Sequence, residues 1–517
     1  CLQDLSFLQS ADFLDQCKKL REKNLCENYT NTRKKTMQLT VLAEHAVSEL
    51  KSMGPQHVND LINYCEKPKL CPYELSAFMV KDAQVVIADY NMIFHPSVRD
   101  SLFSRASKKL SDCIIVVDEG HNLPARCREL LTSKLSFFML DRALQEANKF
   151  EFFSLLAKLQ QLKSAMQYLG KDLNFNKEEK LLRKYEFIDS IEKYDQLIED
   201  CKKIGEDIKE KQKQSFVHSI GEFLEHWMGS DKEYARILQK DEKGNLSLHY
   251  KCLDPSLLTR AVIDQAYATI VMSGTLLPTF MYKDLLGFSQ CEELTLENPF
   301  PPENRLCLIV PETTTKFSRR GEEEYKYIAA SCNRIIENIP GNVTLFFPSY
   351  LLRDKVYKYL YSMCKRKMLI EKQQMNKNER EELIEEFKAH KDGGAVLLGV
   401  SSGSFGEGID LPGDLLKGVV VVGLPLEKPD LETTELIDFY EDKYGKGMDY
   451  GYIFPAFTKC LQNAGRCIRS EIDRGVIVFL DERFAWSNYM RCFPKDMEIK
   501  ISKMYEERIK EFFKKEK

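Results

Sequence analysis

The chain has 517 residues, of which 43% are hydrophobic and 30% charged, so it is a folded protein too long for one core, with three or four domains expected. Its net charge of −4, from 75 basic and 79 acidic residues, neither indicates nor excludes a nucleic-acid partner. No apolar run approaches the ~18 residues of a membrane span, and the first residues lack the pattern of a signal peptide.

The 16 cysteines are scattered through predicted helices and strands, which favours a reduced, intracellular protein with one metal site over a disulfide scaffold. Cys1, Cys17, Cys26 and Cys71 have the spacing C-x15-C-x8-C-x44-C. Four thiolates suit either Zn²⁺ or an iron–sulfur cluster. Cys65 is the rival fourth ligand, although the proline directly after Cys71 favours Cys71, because that context recurs at clusters.

Residues 80–130 alternate between strand and helix patterns. Residues 84–90 and 113–117 are β-branched, apolar runs and predict strands, and residues 98–109 between them predict a helix. This alternation is typical of a doubly wound α/β sheet.

Two adjacent carboxylates follow the strand at 113–117. In open α/β sheets ligands bind beyond the carboxyl ends of the strands, where Asp118 and Glu119 emerge. One carboxylate can hold Mg²⁺ and the other can orient the attacking water, while His121 can report the state of a γ-phosphate. The stretch therefore indicates magnesium–nucleotide chemistry, with a charged strand-to-loop corner as the alternative.

Residues 131 to about 250 change character and predict a helical insertion. Apolar residues recur at helical spacing, residues 177–214 read as a long charged amphipathic helix region, and no strand pattern is found until about residue 246. The charges fit a solvated helix surface, and contact with DNA or a protein partner is the more specific alternative.

Strand patterns resume at residues 268–272, which end in Ser273, Gly274 and Thr275, small residues that can link a nucleotide site to a neighbouring helix. A second α/β unit begins near residue 285. Its predicted elements are strands at 342–350, 395–399 and 418–425, a helix at 351–364, a last strand at 475–480 and an amphipathic helix after 499. Glycines within 403–410 allow close backbone approach to a phosphate or sugar.

Residues 459–470 predict a helix that carries Gln462, Arg466 and Arg469. The two arginines are three residues apart and would share one helix face. Two guanidiniums with the same direction match a triphosphate whose charge grows in the transition state. The alternative is a pair of surface arginines.

Taken together, these motifs resemble those of the iron–sulfur-containing superfamily 2 DNA helicases, most closely the XPD-type helicases of archaea. The resemblance covers essentially the whole chain. It rests on residues 118–121, 273–275, 346–350, 403–410 and 462–469, in that order, with support from 71–73, 300–305 and 481–485.

The resemblance implies an α/β fold with two RecA-like parallel-sheet motor domains, a cysteine-rich cluster domain and a helical arch. It assigns residues 1–75 to the cluster domain and 131–255 to the arch. Motor domain 1 would comprise residues 76–130 and 256–284, incomplete at its N-terminus, and motor domain 2 residues 285–517.

The resemblance also implies an ATP-dependent helicase that moves 5′ to 3′ on single-stranded DNA, often in nucleotide excision repair. The resemblance implies that Asp118 and Glu119 position Mg²⁺ and the attacking water and that His121 senses the nucleotide. It implies that Glu407, Gly408 and Asp410 couple DNA to the nucleotide, and that Gln462, Arg466 and Arg469 contact the phosphates of ATP. It also implies that Cys1, Cys17, Cys26 and Cys71 bind a [4Fe–4S] cluster. Gly120 stands where relatives mostly have alanine, an exchange expected to cost little.

One motif of the family is absent from the 517 residues. No G-x-x-x-x-G-K-S/T sequence, which binds the phosphates and Mg²⁺, occurs anywhere. In the family this loop precedes the first cluster cysteine, so the chain is expected to lack about 100 N-terminal residues and to hydrolyse ATP poorly by itself.

Contacts with DNA require basic and aromatic side chains. The candidates are Arg33, Lys34, Lys35, Tyr90 and Tyr350. The expected partners are single-stranded and forked DNA and repair-complex proteins, for a monomer in the cytoplasm of an archaeon or the nucleus of a eukaryote. The alternative is a non-catalytic scaffold that binds DNA or repair partners; a zinc-stabilised nuclease does not explain the Gln462–Arg469 motif.

Overall fold

The structure is a computed structural model that describes residues 10–174, 177–212, 214–406, 411, 415–426 and 429–514. The chain divides into two compact units. Unit 1 comprises Cys1–Val117 and Asn122–Ile270, and unit 2 comprises Asp118–His121 and Val271–Lys517. No helix in these described ranges is long and apolar enough to cross a membrane.

Unit 1 is mainly helical. Its described helices are α1 (Ser10–Glu22), α2 (Glu27–Thr32), α3 (Val41–Ser52), α4 (Val58–Glu66), α5 (Pro72–Met79), α6 (Tyr90–Phe94), α7 (Pro96–Ala106), α8 (Leu123–Leu131), α9 (Phe137–Lys149), α10 (Phe153–Leu169), α11 (Lys184–Ile188), α12 (Tyr194–Lys211), α13 (Phe216–Trp227) and α14 (Ser256–Ile263). Its strands are β1 (Ile114–Val117), β2 (Ser133–Ser136), β3 (Glu179–Leu181), β4 (Tyr234–Lys240), β5 (Leu246–Cys252) and β6 (Ala268–Val271), of which the last residue falls in unit 2.

The predicted helical insertion is not all helical. Helices α9, α10, α12 and α13 pack with an antiparallel sheet whose strand order is β2-β5-β4-β3. Three of those strands, β2, β3 and β4, lie before residue 246, in the region where the sequence shows no strand pattern. The 177–214 region is likewise interrupted, because β3 and α11 come before α12. These short strands form through pairing and packing on a shared core, which local pattern does not reveal.

Residues 84–89, all within the described part of the chain, form no strand, so the prediction at 84–90 is wrong. Val85 and Ile87 are exposed and unpaired in the sheets described. The strand at 113–117 is confirmed as β1, which pairs with β6. Along β1, Ile115 and Val117 are buried, whereas Ile114 and Val116 are exposed.

Unit 2 is an α/β structure. Its described helices are α15 (Thr279–Leu286), α16 (Glu322–Asn338), α17 (Tyr350–Met363), α18 (Lys377–Ala389), α19 (Leu431–Tyr444), α20 (Phe454–Ala464), α21 (Ser487–Met490) and α22 (Tyr505–Lys514). Its strands are β7 (Arg305–Ile309), β8 (Val343–Phe347), β9 (Lys367–Ile370), β10 (Ala395–Val400), β11 (Gly418–Val422), β12 (Gly475–Leu480) and β13 (Ile499–Ile501).

All the pairings in this sheet are parallel, and the order is β13-β7-β12-β11-β8-β10-β9. Alternate residues serve opposite faces: Leu345 and Phe347 join a core with α16, α17 and α22, whereas Phe346 joins another with α18 and α20. Both faces are covered, which explains the continuous apolar runs of β8, β10 and β11.

The predicted strands and helices of unit 2 are confirmed, with two exceptions. Strand β13 follows β12, so 475–480 is not the last strand. Helix α20 ends at Ala464 rather than near residue 470. Because parallel strands place their carboxyl ends at one edge, the loops after β8, β9, β10 and β12 meet there.

Trp227 is the largest fully buried side chain of unit 1. Its ring lies 5.0 Å from Phe187 and 5.6 Å from Phe223 between centroids, and its indole N–H donates to the Lys184 carbonyl at 3.2 Å. We expect Trp227→Ala to lower the free energy of unfolding by about 3–5 kcal/mol because it leaves a cavity. Circular dichroism during urea denaturation measures this. Phe153→Ala, at a side chain 65% exposed, is the control and changes it by less than about 0.5 kcal/mol; equal effects would contradict the packing.

Candidate functional site

Asp118 and Glu119 are exposed directly after β1. Glu119 has φ +47°, a left-handed conformation that costs a non-glycine residue about 1–3 kcal/mol and that clusters at functional sites. Its amide donates to Asp118 Oδ1 at 2.9 Å. The turn thus leaves two carboxylates accessible at the end of a strand, as Mg²⁺ and a water nucleophile require.

His121 joins the predicted motifs of unit 2. Its side chain is only 5% exposed, and its Nδ1 lies 2.7 Å from Ser273 Oγ and 3.4 Å from both Thr275 Oγ1 and Glu119 Oε2. Its Nε2 contacts the side-chain amide of Gln462. The structure therefore brings together three segments, of which the first and the last are 341 residues apart in sequence.

One arrangement of protons satisfies these contacts. The Gln462 amide donates to His121 Nε2, His121 Nδ1–H donates to Ser273 Oγ, and the Ser273 hydroxyl donates to Glu119 Oε2 at 3.2 Å. In this arrangement the imidazole carries one proton, on Nδ1. The chain of hydrogen bonds connects a motif on α20 to the carboxylate beside the candidate Mg²⁺ ligand.

Gly120 is packed against the strand that precedes Ser273. Its amide donates to the Met272 carbonyl at 2.9 Å, and a Cβ built on it would lie 2.2 Å from Val271 Cγ1. Valine is β-branched and cannot rotate this methyl away freely. The expectation that alanine at this position costs little is therefore wrong for this chain.

Arg466 and Arg469 do not share a helix face, because α20 ends before them. After Gly465 the chain turns, and Asp473 accepts hydrogen bonds from the amides of Arg469 and Ser470 at 2.7 and 2.9 Å. The Arg466 guanidinium donates to the Gly406 carbonyl at 3.0 Å. Arg466 thus contacts the glycine loop, whereas Glu407, Gly408 and Asp410 themselves lie outside the described residues.

The cysteine site in unit 1 distinguishes the two candidate ligands. Burial raises the pKa of the Cys71 thiol to about 11, and Cys17 and Cys26 lie close enough to raise it further. Burial alone raises the pKa of Cys65 to about 11, and its side chain belongs to a hydrophobic core with Leu39 and Leu50. Cys71, not Cys65, therefore neighbours Cys17 and Cys26, while Cys1 lies outside the described residues.

The described residues contain no group of three or more metal-ligating side chains in a geometry ready to hold an ion. The surroundings of the three cysteines nevertheless suit an anionic metal–thiolate group. Glu74, 4% exposed, accepts from Arg21, Arg33 and Arg105 at 3.3, 3.0 and 2.8 Å, which leaves a net positive charge there. Sequence reasoning missed Glu74, Arg21 and Arg105, for which no local signal exists.

The chain is similar to two sequence families: the DEAD_2 family over residues 3–140 and the helicase C-terminal domain family over residues 332–499. It is 24% identical to the general transcription and DNA repair factor IIH helicase subunit XPD of Schizosaccharomyces pombe, over 86% of this chain and 68% of that protein. It is also 24% identical to the ATP-dependent DNA helicase CHL1 of Debaryomyces hansenii, over 84% and 60%.

The solved structure of S. tokodaii Xpd4 has the same fold, with a TM-score of 0.61 and 20% identity over 94% of this chain and 99% of that one. In its matched families and in these relatives the chain is similar to the XPD-type superfamily 2 helicases. The shared fold confirms the RecA-like fold class predicted from the sequence. The chain spans about two thirds or less of the length of the curated relatives named above.

The side chains predicted to contact DNA differ in whether they already have partners within the protein. Arg33 is committed to Glu74 and to the Met37 carbonyl, while Lys34 and Lys35 are exposed. Tyr90 begins α6, and the Tyr350 hydroxyl donates to Glu371 at 3.3 Å. Lys34, Lys35, Tyr90 and Tyr350 remain predicted contacts, whereas the geometry ties Arg33 to a structural role.

We expect Gly120→Ala to lower the free energy of unfolding of unit 2 by about 1–3 kcal/mol, because the added methyl overpacks Val271. The measurement is urea denaturation followed by the fluorescence of Trp486, which lies in unit 2. Gly274→Ala is the matched control, since a Cβ there meets nothing within 4 Å. Equal stability of the Gly120 variant and the wild type would contradict the packing described.

Proposed function

We propose that this chain is the motor of an ATP-dependent DNA helicase that moves 5′ to 3′ along single-stranded DNA in nucleotide excision repair. The observation that carries the proposal is the set of contacts that His121 makes with Glu119, Ser273 and Gln462. The names of the relatives support DNA as the substrate, since one is a DNA repair factor subunit and others are DNA helicases.

In this proposal the exposed carboxylates perform the hydrolytic step. Asp118 would hold Mg²⁺, which would neutralise phosphate charge. Glu119 accepts the proton of the water that attacks the γ-phosphorus, while the bond from that phosphorus to the leaving ADP oxygen breaks. The left-handed turn keeps Glu119 beside Ser273 and His121, so its orientation depends on their hydrogen bonds. Arg466 and Arg469 balance the charge of the ATP phosphates.

The hydrogen-bonded chain from Glu119 to Gln462 gives hydrolysis a mechanical consequence. A change in the charge or position of Glu119 alters the acceptor of the Ser273 hydroxyl and hence the partner of His121 Nδ1. Because Gln462 lies on α20, the same helix that leads to Arg466, the change reaches the glycine loop through the Gly406 carbonyl. A translocating motor requires such a link between nucleotide state and a DNA-contacting loop.

We propose in addition that Cys17, Cys26 and Cys71, with Cys1, bind a [4Fe–4S] cluster. Beyond the effect of burial, Cys26 lies close enough to raise the pKa of Cys17, and both contribute to the raised pKa of Cys71; the three thiols lie beside a cluster of three arginines and one glutamate. A cluster with four thiolates is anionic, and the net positive surroundings offset that charge. Glu74 orders the arginines, since its two oxygens accept from all three.

The alternative is a non-catalytic scaffold that binds DNA or repair proteins. The 517 residues contain no G-x-x-x-x-G-K-S/T sequence, and we propose that they hydrolyse ATP poorly by themselves. The conformational cost at Glu119 and the contacts of His121 favour the enzyme, because a scaffold has no use for a strained turn that exposes two carboxylates.

We expect Glu119→Gln in the full-length protein to reduce DNA-stimulated ATP hydrolysis by ~10²-fold or more, because the amide cannot accept a proton from water. Phosphate release measures this. Glu129→Gln, at an exposed residue of α8, is the control and leaves the rate unchanged. Robust hydrolysis by the Glu119 variant would refute the role of Glu119, and absence of hydrolysis in the wild type would favour the scaffold.

We expect Cys71→Ala to lose bound iron and acid-labile sulfide, whereas Cys65→Ala retains both and loses only about 1 kcal/mol of stability from its core position. The measurement is iron and sulfide per chain, about four of each in the wild type purified without oxygen. Iron loss in the Cys65 variant with retention in the Cys71 variant would reverse the assignment. Zinc in the wild type would refute the cluster.

A further inference from the structure

Glu371 is a fully buried carboxylate at the carboxyl edge of the sheet of unit 2, directly after β9. Its Oε2 accepts from the Val400 amide at 2.8 Å, and its Oε1 accepts from the Ser404 amide at 2.5 Å and from the Tyr350 hydroxyl at 3.3 Å. A buried charge is stable only when hydrogen-bonded, so these donors are obligatory partners. The carboxylate therefore binds three separate segments together.

Gly403 makes room for this carboxylate. A Cβ at Gly403 would lie 2.4 Å from Glu371 Oε1 and 2.6 Å from Oε2, closer than any side chain allows. The Gly403 amide also closes a turn onto the Val400 carbonyl at 2.8 Å. The turn at 400–404 thus wraps around the Glu371 carboxylate, with the amides of its first and last residues, Val400 and Ser404, directed at it.

The opposite end of this loop is held by Arg466, whose guanidinium donates to the Gly406 carbonyl at 3.0 Å. Residues 400–406 therefore lie between Glu371 on one side and a candidate phosphate-binding arginine on the other. Tyr350, a candidate DNA contact, hydrogen-bonds to the same carboxylate. Its ring also faces the Arg353 guanidinium at 4.9 Å, and that guanidinium donates to the Glu371 carbonyl.

We propose that Glu371 is a positioning residue that couples the glycine loop to Tyr350, and through both sets the affinity of the motor for single-stranded DNA. The inference rests on the proposed helicase function and adds a residue to it. With Glu371 in place, the loop and Tyr350 form one hydrogen-bonded body, so a displacement of the loop by Arg466 also displaces Tyr350. Without the carboxylate, the loop and Tyr350 move independently.

The test compares Glu371→Gln with the wild-type full-length protein. Glutamine has one acceptor oxygen and cannot serve donors on both sides, so either the Val400 or the Ser404 amide loses its acceptor and exchanges with solvent deuterium faster. Binding of a fluorescent oligothymidine, measured by anisotropy, weakens roughly tenfold, the size of one lost hydrogen bond to a charged group. The DNA concentration that gives half-maximal stimulation of ATP hydrolysis rises by the same factor. The maximal rate of hydrolysis does not fall.

Two further variants keep the test decisive if Glu371→Gln does not fold. Gly403→Ala displaces the carboxylate without changing it and reproduces both effects. Tyr350→Phe weakens DNA binding without faster exchange at Val400 and Ser404. Glu385→Gln, at an exposed glutamate of α18, is the control and changes neither.

Two results would overturn the proposal. Faster amide exchange in the Glu371 and Gly403 variants with unchanged DNA affinity would make Glu371 a purely structural residue. Unchanged amide exchange in these variants would show that Glu371 does not hold the loop at 400–404. Failure of the wild type to bind oligothymidine is a distinct result, which overturns the helicase function and the inference built on it.

Discussion

Two buried carboxylates, Glu371 and Asp481, fix the edge of the sheet at which the candidate site of unit 2 is assembled. Neither has exposed surface, and removing an ion from water costs several kcal/mol unless its oxygens are fully hydrogen-bonded. Asp481 accepts from the Thr315 amide at 2.7 Å and pairs with Arg483 at 2.8 Å, which joins the loops after β7 and β12. Glu371 joins the segments after β8, β9 and β10. Five loops of the edge are therefore set by the requirement that these two carboxylates stay hydrogen-bonded.

The junction at His121 is built differently. Its contacts with Glu119, Ser273 and Gln462 join side chain to side chain, and Glu119 is 63% exposed. Such bonds exchange partners at low cost, because water replaces a lost donor at an exposed carboxylate, whereas it cannot reach Glu371. The sheet edge thus provides a rigid frame. In the proposed helicase, the hydrogen-bonded chain that ends at Glu119 is the part that would change with the nucleotide, and such a motor needs both a rigid and a changeable part.

The sequence predicts the parts of the fold whose signal is local. Strands β8, β10 and β11 are continuous apolar runs because both faces of the sheet are covered, and each was predictable to within three residues at either end. Residues 84–90 have the same composition yet form no strand, since a strand requires a neighbour with which to pair. The helix predicted to residue 470 stops at Ala464 because Asp473 captures the Arg469 amide from beyond the helix. The first error comes from a missing pairing strand and the second from a residue just beyond the predicted helix.

The site residues divide in the same way, into those with a local sequence signal and those fixed only by distant neighbours. Asp118, Glu119 and His121 are recognisable because they follow a strand at fixed spacing. Glu371 stands in a polar stretch with nothing to mark it, and only its tertiary neighbours bury it. The sequence does contain an indirect sign of Glu371. The glycines at 403–410 indicate that an anion approaches the backbone closely, and at Gly403 that anion is the Glu371 carboxylate of the protein itself. A glycine records that a close approach occurs, but not whether a ligand or the fold makes it.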